Sequence, residues 1–208
     1  AELLSTPEDD WQTTTLGEIA LVNPKELPLA ENAHFVPMDA VSVGKRWVQY
    51  TEPRGTRGGA RAKSGDILFA RITPCLENGK TAQVPIEIAR CGGSTEFIVI
   101  RGTDLVTSDY LYLWSTEVGV RQRAAALMTG TTGRQRLAAK DLSGITFHLP
   151  PLSEQRRIVD LVGAIDTCID ALEVQVEADR TFRAGVLAEL LSGEHRLPES
   201  YDKFVEAS

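Results

Sequence analysis

The chain has few of the residues on which proteins usually hang chemistry. Its 208 residues include three cysteines and three histidines. Cys75, Cys91 and Cys168 are far apart and form no C-x-x-C pair, so they specify neither a disulfide framework nor a zinc site and read as free thiols. His34, His148 and His195 have no second ligand at metal spacing and no serine or cysteine beside them in a nucleophile setting. No run approaches the ~18 to 20 apolar residues of a membrane span. The opening AELLSTPEDD is acidic where a secretion signal is basic and then apolar, which predicts a cytoplasmic chain. No G-x-G-x-x-G follows a strand-like run, and Asn23-Pro24-Lys25 lacks the second proline and the aromatic of the amino-methyltransferase signature N-P-P-[YF]. These absences predict a protein that binds rather than catalyses and that needs no cofactor or metal.

What is present begins with ordinary globular composition, 42% apolar and 25% charged, enough for one main domain and an appendage. The net charge of -7 argues weakly against a polyanion partner, but it is unevenly spread. Residues 1–150 carry 16 basic and 17 acidic residues, or -1, while residues 151–208 carry 6 and 12, or -6. Within the first part, Lys45 to Arg90 holds nine basic and four acidic residues, a local +5. A nucleic-acid partner stays open for that region.

Short β-branched and aromatic runs, VQY beside Trp47, DILFARI from Asp66 and EFIVI from Glu96, are separated by Gly- and Pro-containing segments and read as strands. One helix is expected from Ser108, its cap, through SDYLYLWSTEVGVRQRAAALM, with Leu111, Trp114, Val118 and Leu127 on one face; a short one is expected in LGEIALV. After Pro150-Pro151 no proline occurs from Ser153 to Leu191, and Ser192-Gly193 supplies a stop. These thirty-nine positions predict a single helix of about 58 Å. Ile158, Leu161, Ile165, Cys168 and Leu172 follow the three-four spacing of a coiled-coil seam, and the register then shifts through Val176 or is interrupted by Gln175 and Asp179 before Phe182, Val186 and Leu190. The seam implies a partner helix; the plainer alternative is that the helix folds back on its own domain.

PCLENGKT, Pro74 to Thr81, ends in the Gly-Lys-Thr of a phosphate-binding loop. Such a loop needs a first glycine, here replaced by Pro74, and a helix straight after the Lys-Thr, where Pro85 would sit in the second turn at a cost of ~3 kcal/mol. The expectation is therefore a loop between two strands that turns at Asn78-Gly79, not a nucleotide site. Two other segments, RGTRGGARAK (Arg54 to Lys63) and GTTGRQR (Gly130 to Arg136), mix glycine with cations. Both suit phosphate contact, and Arg and Gln also read base edges; the bland reading of each is a solvated loop.

Taken in order, GDILFARITPCLENGKTA, GGSTEF, MTGTTGRQRL and LPPLSEQRRIV resemble the recurrent segments of specificity (S) subunits of Type I restriction-modification systems. The resemblance implies an α+β architecture: a mixed α/β target-recognition domain over residues 1–150, a spacer and docking helix over 151–193, and a tail over 194–208. It implies a non-catalytic DNA-specificity role, with double-stranded DNA, methyltransferase (modification) subunits and restriction subunits as partners. Complete members carry two recognition domains and two such helices that pair antiparallel, whereas this chain carries one of each. A natural half subunit and a fragment of a longer one would look alike. Two copies joined through Ile158, Leu161, Ile165, Cys168, Leu172 and Val176 would restore the pair. The DNA contacts expected are Arg54, Arg57, Arg61, Lys63, Lys80, Arg134, Gln135 and Arg136, with Arg134 and Arg136 as phosphate anchors. The competing expectation is a coiled-coil scaffold without DNA specificity.

Overall fold

A computed structural model describes residues 11–131 and 133–198. AELLSTPEDD and the tail beyond residue 198 lie outside the described residues. In chain order the elements are β1 (Gln12–Thr15), α1 (Leu16–Ile19), β2 (Ala20–Val22), β3 (His34–Val36), β4 (Glu52–Pro53), β5 (Ala60–Lys63), β6 (Ile67–Ala70) and β7 (Thr81–Gln83). They continue with β8 (Arg90–Gly93), β9 (Phe97–Gly102), α2 (Ser108–Thr116), α3 (Val118–Ala126), α4 (Ala139–Ser143), β10 (Thr146–Leu149) and α5 (Leu152–Ser192). Residues up to Val159 form one compact unit, and Asp160 onward forms a second.

The consecutive apolar residues of β6 and β9 are explained by burial on both faces. Ile67 and Phe69, with Ile98 and Ile100, join a core shared with α1, α2, α3 and α4. Leu68, Phe97 and Val99 point the other way, into a second core with Val36, Ala62 and Cys91. Two four-stranded sheets result, ordered β2-β9-β6-β7 and β4-β3-β8-β5, together with a separate β1-β10 ribbon. All pairings are antiparallel except β3 with β8.

The expected strands from Asp66 and Glu96 are present, but VQY is not a strand. Only Trp47 makes a bridge, to Gln83, because the chain there runs along the edge of β7 for one residue. The LGEIALV helix lasts only four residues, after which Ala20–Val22 pair with β9. The single helix expected from Ser108 is two. Glu117 leaves helical geometry at ψ 137, and its carboxylate caps α3 by accepting from the amides of Gly119 (2.6 Å) and Val120 (2.7 Å). Thr107, not Ser108, caps α2. The break re-aims the second half: Leu111 and Trp114 are buried as expected, but Val118 and Leu127 are exposed and Val120 and Ala124 take the core positions.

The long helix is present, 41 residues or about 62 Å at ~1.5 Å per residue. Its first turn is tied down by Gln155, which is fully buried. Gln155 Oε1 accepts from the Thr107 amide at 2.9 Å, and its Nε2 donates to the carbonyls of Leu105 (2.9 Å) and Pro150 (3.0 Å).

Candidate nucleic-acid interface

The sheet β4-β3-β8-β5 turns Val36, Ala62 and Cys91 to the core and Phe35, Arg61, Lys63, Arg90 and Gly92 to the opposite face. Burial pushes the Cys91 thiol up to about 12, so it stays protonated and inert. Across the other face runs the extended segment Pro24–Ala30, whose carbonyls have no strand to pair with. Three arginines supply the missing donors: Arg54 to Leu29 O (3.2 Å), Arg61 to Glu26 O (2.9 Å) and Arg90 to Leu27 O (2.6 Å). The Glu26 carboxylate accepts from Arg101, which also pairs with buried Asp66. Arg57 lies over the Phe35 ring, 4.1 Å from its centroid, and bridges to Glu52 at 2.7 Å. Arg54, Arg57 and Arg61 are thus brought together, each with at least one guanidinium nitrogen bonded to the domain itself. Lys63 is exposed, and its ammonium has no partner among the described residues.

The second cationic segment folds onto the end of β6. Thr73 donates from both its amide (3.1 Å) and its hydroxyl (3.3 Å) to Gln135 O, and Arg136 bridges to Ile72 and Thr129. Gly130, at φ 131, is pressed against the Arg134 carbonyl, where a Cβ would come within 2.8 Å, so only glycine closes this loop. Arg136 forks onto Glu96, and this hydrogen bond first of all holds the Glu96 carboxyl below the usual carboxylate range. Arg134 is exposed, with no side-chain partner among the described residues. The two cationic regions adjoin through Ser94–Glu96, since Gly59 lies against Gly93 and Thr95.

PCLENGKT is a turn between two strands, as expected: β6 and β7 pair antiparallel on either side of it. Gly79 takes φ 79, and Lys80 donates to Met38 O at 3.1 Å. β7 stands where a nucleotide-binding helix would have to begin. Among the described residues no group of three or more His, Cys, Asp or Glu could hold a metal, and no helix is long and apolar enough to cross a membrane.

On α5 the predicted seam is open. Leu161 is 60% exposed, Leu172 65%, and Ile165 and Val176 about half. Cys168 is exposed too. Ile158 differs: with Val159 it packs partly buried against the domain's own core.

The family model for the Type I restriction modification DNA specificity domain matches residues 8–178. The chain belongs to that family. It is 30% identical over 181 residues to the specificity subunit of the EcoAI Type I restriction enzyme of Escherichia coli, covering 80% of this chain and 30% of that one. The fold is similar to that of the HsdS subunit of Thermoanaerobacter tengcongensis, with TM-score 0.69, 22% identity, and coverage of 95% of this chain and 54% of that chain. It is also similar to a chain solved for complex assembly and conformational transition of the type I R-M system, with TM-score 0.64, 21% identity, and coverage of 91% and 47%. The chain thus spans under a third of the curated relative and about half of the solved ones.

The four segments that resemble the specificity-subunit family now have physical roles. GDILFARITPCLENGKTA is the β6-turn-β7 hairpin, and GGSTEF supplies the flat Gly92 under the Arg54 chain and the Glu96 that holds Arg136. MTGTTGRQRL is the loop paired to Ile72, and LPPLSEQRRIV carries the buried Gln155. Arg121, on α3, lies against Gly79 of the turn, a neighbour that no local spacing in the sequence marks.

Proposed function

We propose that this chain is a target-recognition half of a Type I specificity subunit, reading duplex DNA and directing modification and restriction subunits to it without catalysing a reaction itself. The family match over residues 8–178 carries the reading. The cationic loop at Arg134, Gln135 and Arg136 supports it physically, together with Lys63 and Lys80: these donors stand on a rigid two-sheet scaffold and suit phosphate and base-edge contact. Arg54, Arg57 and Arg61 contribute their charge to the field that draws DNA in, while their hydrogen bonds secure the Pro24–Ala30 segment.

The domain division 1–150, 151–193 and 194–208 belongs to the same proposal, with the helix as spacer and docking surface. Its open seam over Leu161, Ile165, Cys168, Leu172 and Val176 fits a second copy running antiparallel, with Ile158 at the margin. In a parallel pair every charge on α5 would face its own copy, Asp160 against Asp160, whereas an antiparallel pair centred on Leu172 sets Asp160 beside Arg183 and Arg156 beside Glu189, though Asp166 beside Glu177. Two identical domains related by a two-fold axis then read a palindromic, split site, with the helix length setting the gap.

The test is selection from random duplexes by the chain together with its modification subunit. A bipartite, symmetric consensus is expected. Recovery of no consensus would reject the reading in favour of a scaffold without DNA specificity.

A further inference from the structure

We propose that the β6-β7 turn, Pro74–Lys80, is a site for backbone phosphates of DNA, with Arg71, Arg121 and Arg134 as its donors; this rests on the DNA-recognition reading above. The turn cannot work as a nucleotide-binding loop does. Four of its six amides are spent internally: Leu76 donates to Ile72 O, Asn78 to Pro74 O, Gly79 to Leu76 O and Lys80 to Cys75 O, all at 2.9 to 3.0 Å. The buried Leu76 side chain anchors it to the core.

Arg121 lies on the turn, and Arg71 and Arg134 stand close to it along the backbone. Arg71 begins the segment, and its Nε is buried without a hydrogen-bond partner among the described residues. Arg121 reaches across from α3 and lies on Gly79, where an added Cβ would sit 2.5 Å from its Nη1 and 3.5 Å from its Cδ and Cζ. It is half-buried and makes no hydrogen bond among the described residues; Glu117 is close enough to feel its charge, but its carboxylate oxygens are taken by the α3 amides. Arg134 is one residue from Gln135, which takes the Thr73 amide. A half-buried cation without an acceptor is costly, and an oxyanion relieves that cost.

The local charge agrees. Arg71, Lys80, Arg121, Arg134 and Arg136 give +5 against -3 from Glu77, Glu96 and Glu117, leaving +2. Glu96 is engaged by Arg136, and Glu117 by the α3 amides. Phosphates lie on the outside of a duplex, so a hairpin turn with Arg121 lying on it meets them without any need to enter a groove.

The test uses the chain with its modification subunit on the duplex selected by the wild type. Arg121→Ala should weaken binding about tenfold at low salt and reduce the slope of log affinity against log salt by about 0.9, one phosphate contact. Arg121→Lys should restore most of the slope. Gly79→Asn keeps a residue that tolerates the left-handed backbone but crowds Arg121 aside; it should weaken binding in the wild type and not in Arg121→Ala. Thermal melts of each variant separate this from unfolding. An unchanged slope in folded Arg121→Ala overturns the proposal while leaving DNA recognition intact. Failure of the wild type to bind any duplex overturns both. Titrations with inorganic phosphate and with ATP and magnesium should give no Arg121-dependent binding; such binding with duplex affinity unaltered would assign the site to a free phosphate and overturn it as a DNA contact.

Discussion

Arg136 and Glu96, forty residues apart in sequence, meet in a fork: Nη2 lies 2.8 Å from Oε1 and Nε 3.0 Å from Oε2. The guanidinium proposed to bind phosphate is therefore already satisfied, and DNA has to compete with a carboxylate for it. Glu96→Gln removes the competitor and one negative charge. Duplex affinity at low salt should rise several-fold without regard to sequence, with a steeper salt dependence, and Arg136→Ala added to it should cancel the gain. Fluorescence anisotropy across a salt series measures both; an affinity that does not move would separate Arg136 from DNA.

Arg134 has no such partner, so its removal should act in the opposite sense. Arg134→Ala is expected to weaken every duplex alike and flatten the salt slope by about one contact, with the selected consensus unchanged. A changed consensus would mean that Arg134 reads a base.

Gln155 closes three buried hydrogen bonds with one side chain. Gln155→Ala strands the Thr107 amide and two carbonyls away from water and should cost about 3 kcal/mol in denaturant unfolding, far above a surface change. A loss under 1 kcal/mol would mean that water enters and replaces the amide.

Glu117 contributes to the pH dependence, alongside Glu18, Asp39 and Glu96, whose carboxyls are also held low. Bonds from Gly119 first, and then from Val120, hold its carboxyl below the usual carboxylate range. A depressed folded value means that the cap stabilises the domain fully above the unfolded carboxylate value, about 4.3, and that this contribution is lost as pH falls through the folded value. Melting temperatures of wild type and Glu117→Gln should differ at pH 7 and converge as pH falls through the depressed folded value. Parallel curves would show that the carboxylate charge contributes nothing to the cap.

The face of α5 makes a prediction about assembly. Leu172→Asp puts two charges at the centre of the proposed antiparallel pair and should leave a folded monomer in sedimentation at micromolar concentration. Inserting four residues, ~6 Å of helix, should shift the preferred gap between half-sites by one or two base pairs. A gap that ignores the insertion would remove the helix as its determinant.

The sequence was most legible where one physical cause acted locally. The proline-free stretch with a three-four apolar stripe became α5, and Pro85 ruled out the nucleotide loop before β7 was seen. The strands from Asp66 and Glu96 announced themselves because burial on both faces leaves an unbroken apolar run. The break at Glu117 stayed hidden, since a glutamate in a helical pattern reads as an ordinary surface residue and only the fold turns its carboxylate back onto two amides. The site was half legible. Glycine mixed with arginine located the loops, but composition does not distinguish Arg134, which faces solvent, from Arg54 and Arg61, which secure the Pro24–Ala30 segment. Arg121 could not be found at all, because its relation to Gly79 exists only in three dimensions.

The ribbon of β1 with β10 pairs Gln12 with Leu149, so the chain comes into the recognition domain beside the place where it leaves. A domain whose two doors adjoin makes a self-contained cassette. It can be exchanged for another of the same kind by joining at two neighbouring points, with the helix after Pro151 left as it was. On the proposed recognition role, new target sequences would be acquired by trading whole domains, with no need to rebuild the spacer residue by residue.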